Sequence, residues 1–187
     1  PISFELVSPI LVGENGLKEL EMVCWVLDIC NAKVNDSCGF HVHMDAAGFN
    51  LDTWKNLTLT YKHLEHLIDA FMPRTRRNNT YCKTLSGVSD ERIKSVRTID
   101  GLREVFNNDR YHKVNFEAYS RHRTVEFRQH SGTTNFTKME NWIRFLNGLI
   151  TFAKRSSLPS RMTLEELPFL DGKQKLFFKL RTKKLAV

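Results

Sequence analysis

The sequence is short of several features that would class it at once. Its four cysteines, Cys24, Cys30, Cys38 and Cys82, include no Cys-x-x-Cys pair. That argues against a disulfide framework and against a thiolate zinc site. Cys24 and Cys30 sit in an apolar periodic run, where a thiol is a small core residue, and free thiols suit a reducing compartment, here the cytoplasm. No apolar run approaches ~18 residues, so no membrane-spanning helix is expected. No signal peptide is visible. No Gly-rich Walker loop occurs, so phosphate binding of the P-loop type is excluded. Internal repeats and low-complexity tracts are absent. So is an initiator Met, because the chain opens Pro1-Ile-Ser-Phe-Glu-Leu-Val-Ser-Pro9, as a truncated or processed chain would.

What is present is a chain of 187 residues with an uneven charge. Residues 1–72 carry 4 basic and 10 acidic side chains, whereas 73–187 carry 24 basic and 11 acidic. The net charge of +7 invites a nucleic-acid reading. Apolar residues at 41% and charged residues at 26% describe an ordinary globular domain with one core.

The periodicity predicts an α+β protein with about four strands. Ile2–Val7 reads as a strand, Gly13–Gly16 as a turn and 17–32 as a helix, with Leu17, Leu20, Val23, Cys24, Leu27 and Cys30 at helical spacing. Phe40–Asp45 alternates as a strand. Asn50 can cap a long helix that buries Trp54, Leu57, Tyr61, Leu64, Ile68 and Phe71 and stops at Pro73. Residues 74–98 read as loop with a short helix near 90–97, and a further helix covers 99–107. Val114–Ala118 and Thr124–Gln129 look like strands, and 131–135 like a turn. A capping box from Thr137 to Glu140 opens the Trp142 helix. Thr163–Leu167 reads as a short helix. Gly172–Lys184 is basic, with Leu176, Phe177, Phe178 and Leu180 inside it.

Four segments carry chemistry. In Gly39-Phe-His-Val-His-Met-Asp45, a strand puts His41, His43 and Asp45 on one face, a pattern suited to a metal or a phosphate. The structural alternative is a polar face meeting water. In Thr124-Val-Glu-Phe-Arg-Gln129, Glu126 can bind a divalent cation and Arg128 can fork onto phosphate or carboxylate. A cross-strand salt-bridge ladder is the alternative. Glu5 is a charge in an apolar strand, as an edge-strand gatekeeper also is. Arg110 and Asn115 flank a basic turn that can reach an anion or simply be solvated. Arg74, Arg76 and Arg77 read as a solvated loop.

Taken in order, these segments resemble the amidoligase family, carboxylate–amine ligases of the superfamily with the glutamine synthetase and glutamate–cysteine ligase fold. The resemblance covers roughly 3–153. It implies a mainly antiparallel sheet curved into a partial barrel, helices on its convex face, and ATP with Mg²⁺ (or Mn²⁺) on its concave face. It would make Glu5, His41 and Glu126 metal ligands. His43, Arg128 and more loosely Arg110 would face phosphate, with Glu126 and Arg128 central to catalysis. The superfamily's first strand carries a Glu-x-Glu pair upstream of the strand ending in Ser-Pro, so this chain is expected to begin after it, as a fragment or a degenerate enzyme would. Residues 1–155 are then the catalytic domain and 156–187 a basic extension.

The implied partners are a small-molecule or peptide carboxylate and an amine, with no membrane, with nucleic acid disfavoured and with a homo-oligomer open. Two other classes remain. A zinc hydrolase would use His41 and His43, although the helical His-Glu-x-x-His spacing is missing. A nucleic-acid binder would use Phe177 and Phe178 among the basic residues of the last segment, for which the favoured alternative is an amphipathic element docked by its apolar side chains.

Overall fold

The computed structural model describes residues 3–186. Its elements run α1 (Gly13–Ile29), β1 (Val42–Asp45), α2 (Leu51–Ala70), α3 (Asp90–Ser95), α4 (Ile99–Val105), β2 (Val114–Asn115), α5 (Ala118–His122), β3 (Thr124–Phe127), α6 (Phe136–Ala153) and α7 (Gly172–Leu185), with 3-10 turns at Arg74–Arg76 and Leu164–Glu166. This is α+β. The described residues hold three strands, antiparallel, in the order β1-β3-β2.

The long helix forms as its sequence dictates. Asn50 Oδ1 accepts from the Thr53 amide at 2.8 Å, which satisfies one orphan donor of the first turn. Trp54, Leu57, Tyr61, Leu64 and Ile68 are buried along one face of α2, with Phe71 just beyond it. The Tyr61 ring stacks on Phe127 of β3 at 5.9 Å. α2 also packs along α6, whose Trp142, Phe145, Leu146 and Leu149 are fully buried. Leu158, Leu167, Leu170 and Phe178 join this same core.

Five expectations are corrected. Residues 3–12 form no strand, and Phe4, Leu6, Val7 and Ile10 are exposed. Ile2 lies outside the described residues. Gly13–Gly16 starts α1 rather than a turn. On α1, Cys24 and Gly16 are buried, but Val23 and Cys30 are not, and Met22, Trp25, Val26 and Ile29 form an exposed apolar stripe. The strand begun at Val114 ends at Asn115, because the Asn115 side chain accepts the Glu117 amide at 2.9 Å and turns the chain into α5. α6 is capped by Asn135, two residues before Thr137, through Lys138 N at 3.0 Å.

The edges of the sheet are treated differently. Loop 79–84 lies against β2, with Lys83 N donating to Tyr111 O at 2.7 Å and Lys113 N to Lys83 O at 2.9 Å. On the other side, β1 has no further strand partner among the described residues.

Candidate active site on the β1-β3-β2 face

Glu126 is the centre of the site because it is the centre of the sheet. Pairing sets His43 opposite it on β1 and Asn115 opposite it on β2. Arg128 lies two residues on, hence on the same face. Asn115 Nδ2 donates to Glu126 Oε2 at 2.6 Å, and Arg128 Nη1 donates to Oε1 at 2.9 Å. His41 Nδ1 and His43 Nε2 stand 3.4 and 3.7 Å from Oε1. Glu126 and Arg128 are both buried, and a buried carboxylate is tolerated when a cation and a hydrogen bond share it.

The imidazoles do not add to that charge balance. Burial pushes His41 down to about 4, helped by the Arg128 guanidinium, and the pull of Glu126 does not overcome them. His43 is lowered as well, chiefly by burial. At neutral pH both rings are therefore neutral, and their approach to Glu126 is not an ion pair. A neutral imidazole keeps one nitrogen lone pair for a proton or a metal. For His43 the Nδ1 edge is engaged by Thr124 Oγ1 at 2.8 Å.

Two glycines let the 38–40 loop approach. A Cβ on Gly39 would lie 2.6 Å from His41 Nε2 and 3.1 Å from Arg76 Nη2. A Cβ on Gly132 would lie 2.4 Å from Cys38 Cβ. Phe40 N donates to His130 O and Gly132 N to Cys38 O, both at 2.9 Å, so this loop is stitched to the chain leaving β3.

Arg76 corrects the reading of 74–77 as solvated loop. It is 4% exposed. Its Nε donates to Gln129 O at 3.2 Å and its Nη2 to Arg128 O. It thus ties down the chain just past β3, with its guanidinium next to Gly39 as the His41 ring is. Nothing in the local Arg-Thr-Arg-Arg run marks this residue out, because its partners are carbonyls 52 and 53 positions away.

The remaining expected residues fall as follows. Arg128 Nε donates to Tyr81 O at 3.2 Å, so with Nη1 on Glu126 much of its fork is used within the protein. Its guanidinium lies 5.4 Å from the Tyr111 ring, and that of Arg110 lies 5.3 Å from the same ring. Arg110 makes no hydrogen bond or ion pair with the Glu126 cluster among the described residues and shares only the Tyr111 ring with Arg128. Asp45 is turned away to its own loop, accepting Ala47 N at 3.0 Å. Glu5 is exposed in the N-terminal segment and makes no hydrogen bond or ion pair among the described residues. Within those residues no group of three or more His, Cys, Asp and Glu side chains is arranged to hold a metal ion.

The sequence reading missed the support below the site. Lys113, 1% exposed, donates to Glu65 Oε2 at 3.0 Å and Asp69 Oδ1 at 2.7 Å. Glu65 also accepts from Leu85 N at 2.6 Å and Thr84 Oγ1 at 2.5 Å. Gln129, next to Arg128, donates to Asp69 at 2.5 Å and accepts from Tyr61 Oη at 2.7 Å. The signal available was Glu65 and Asp69, two acids one turn apart on the α2 sequence.

The family described as "Putative amidoligase enzyme" matches residues 1–150 of the chain. This chain belongs to that family. The match spans β1, β2 and β3 and so includes every residue of the site described above, and it stops within α6. No curated protein and no solved structure matches the chain. Amidoligase membership indicates an enzyme of the ligase type.

Proposed function

We propose that this amidoligase joins a carboxylate to an amine at the expense of ATP, through an acyl phosphate. The observation that carries the reading is the Glu126 cluster: a buried carboxylate held by Asn115 and Arg128, with two neutral imidazoles on the same antiparallel face. In the finer form of the proposal the three strands are the inner part of a glutamine synthetase-like partial barrel. Four free cysteines fit a cytoplasmic, reducing setting, and no helix of the described residues is long and apolar enough to cross a membrane.

The chemistry needs a better leaving group than hydroxide. A carboxylate oxygen attacks the γ-phosphorus and the bond to ADP breaks. The amine nitrogen then attacks the acyl carbon, the bond to phosphate breaks, and the nitrogen loses a proton. Phosphoryl transfer depends mainly on positioning and on neutralising spread negative charge. Arg128 Nη2, without a partner among the described residues, supplies one donor to a phosphate oxygen. Arg110, which shares the Tyr111 ring with Arg128, supplies a second charge. Arg76 fixes the backbone that carries Arg128.

The donor set fits a divalent ion in part. His41 and Glu126 would hold Mg²⁺ from one side, with Glu5 as the third ligand of the proposal lying outside the cluster in this structure. Such an ion would neutralise phosphate oxygens.

The test is phosphate release from ATP with Mg²⁺ and panels of carboxylate and amine substrates. Release should require both substrates, and Glu126→Gln and His41→Ala should each lower it at least ~100-fold, in line with the loss of a preorganised charge-stabilising group. Unchanged turnover in both variants rejects the site.

A further inference from the structure

We propose that Lys138, Arg181 and Lys184 form a second binding site, for a phosphate group, on the surface shared by α6 and α7. The three cations line a pocket of about 200 Å³ together with Phe177 and Leu180. None of these five residues belongs to the Glu126 site.

The charge balance of the pocket is what asks for an anion. Among the described residues none of the three cations is in an ion pair. Carboxylates of α1, α6 and the Leu164–Glu166 turn are engaged by other cations, Glu14 and Glu140 by Arg144, and Glu165 by Lys179. Arg181 has one protein partner, donating Nε to Phe71 O at 2.9 Å. That bond orients the guanidinium and leaves both terminal nitrogens free. Lys138 is half-buried, and its ammonium is depressed first by burial and then by Arg181 and Lys184. Burial also lowers Arg181. Like charges held together and partly desolvated raise the energy of the empty pocket, and an anion between them removes that cost.

Trp142 lies one turn after Lys138 on α6, and its indole Nε1 is the buried side-chain polar atom without a partner among the described residues. His130, whose ring lies 5.7 Å from Trp142, is kept neutral by burial, pushed down to about 4.

The number and kind of donors select the ligand. Two ammoniums and a planar guanidinium suit the several oxygens and double charge of a phosphate. A lone carboxylate would leave most of the positive charge unmatched. Phe178, the aromatic neighbour of Phe177, is packed on Phe71 at 4.5 Å and on Phe145 at 5.5 Å. Phe178 is therefore not available to stack on a base; Phe177 lines the pocket and offers it an apolar wall, while the three cations recognise the phosphate.

The test is thermal unfolding of the full chain in inorganic phosphate against chloride and acetate at equal ionic strength. Phosphate at ~10 times its dissociation constant should raise Tm by about 3–6 °C, a range that follows from mass action and the size of the chain. Acetate should not. The double variant Lys138→Gln, Lys184→Gln removes two of the three charges and leaves the Arg181 bond to Phe71 in place, so it should fold and lose the shift. The control pair Lys18→Gln, Lys33→Gln, exposed cations outside both sites, should keep it. A shift that survives in full in the double variant, or is lost in the control pair, overturns the proposal, as does an equal shift in acetate or no shift at all. A single-stranded 12-mer in a parallel titration separates the sources. Oligonucleotide binding lost in the double variant assigns the phosphate to a polynucleotide backbone, and a shift with inorganic phosphate alone assigns it to a free phosphate.

Discussion

His41 shows how much of this site depends on one missing atom. Its ring rests against Gly39, where an added Cβ would lie 2.6 Å from Nε2 and force something to move. Gly39→Ala must turn the ring or move the 38–40 loop, and that loop is tied to His130 and Cys38 backbone atoms. Misplacement by ~1 Å at a reacting centre costs about 100-fold in rate. We therefore expect Gly39→Ala to lower amide-forming turnover by that order with its far-UV circular dichroism unchanged. Gly87→Ala is the control, because a Cβ there meets nothing within 4 Å, and it should leave turnover as it is. Equal turnover in the two variants would detach His41 from the chemistry. At this scale the sequence was informative about identity and silent about burden. His41, His43, Glu126 and Arg128 were legible from alternation on two strands. Arg76 was not, since a buried strut and a solvated arginine have the same local sequence.

At the scale of elements, the sheet is held from behind by α2 through charge as well as apolar packing. Lys113 precedes β2 and ends between Glu65 and Asp69 of α2. Removing one partner of a buried pair leaves the other uncompensated, which costs about 3–5 kcal/mol. Lys113→Met should lower unfolding stability by that amount in urea titration, and adding Glu65→Gln should recover part of it. A loss below about 1 kcal/mol would mean that water already reaches the pair. The capping of elements followed the same division between local and distant causes. Asn50 caps α2 through a bond three residues on, and Pro73 cannot continue a helix, so both ends were readable. β2 was read too long because its end is set by the Asn115 side chain serving two masters, the Glu117 amide and the Glu126 carboxylate. Only the second tie needs the folded sheet, and it keeps Asn115 in the rotamer that ends the strand.

The whole molecule carries histidines that folding keeps from their protons. His130 is 3% exposed and pushed down to about 4, against about 6.5 in an unfolded chain. Between these values the unfolded state binds a proton that the folded state does not. Stability therefore rises with pH across the window, is complete above about 6.5 and is lost as pH falls towards 4. The His130 contribution is about 3 kcal/mol by the same conversion. His130→Asn should flatten the dependence of urea midpoint on pH between 6.5 and 4, without abolishing it, because His41 shifts in the same direction. An unchanged slope would reject this account.

Sequence alone determined what depends on neighbours along the chain: the long amphipathic helices, the Asn50 cap of α2, the two alternating strands and the chemical character of the polar face. It also carried the family, through short motifs in a fixed order. Tertiary structure decided what depends on distant partners. It buried Arg76 and Lys113, left the apolar stripe of α1 exposed, with Trp25 at 63%, and kept the Ser-Pro segment out of the sheet. Hydrophobic periodicity says that a face is apolar, and only packing says whether anything covers it. The same holds for charge. The composition contained a basic surplus, but the fold decided which cations became buried ties, which joined surface pairs and which, Lys138, Arg181 and Lys184 among them, stand without an ion pair among the described residues.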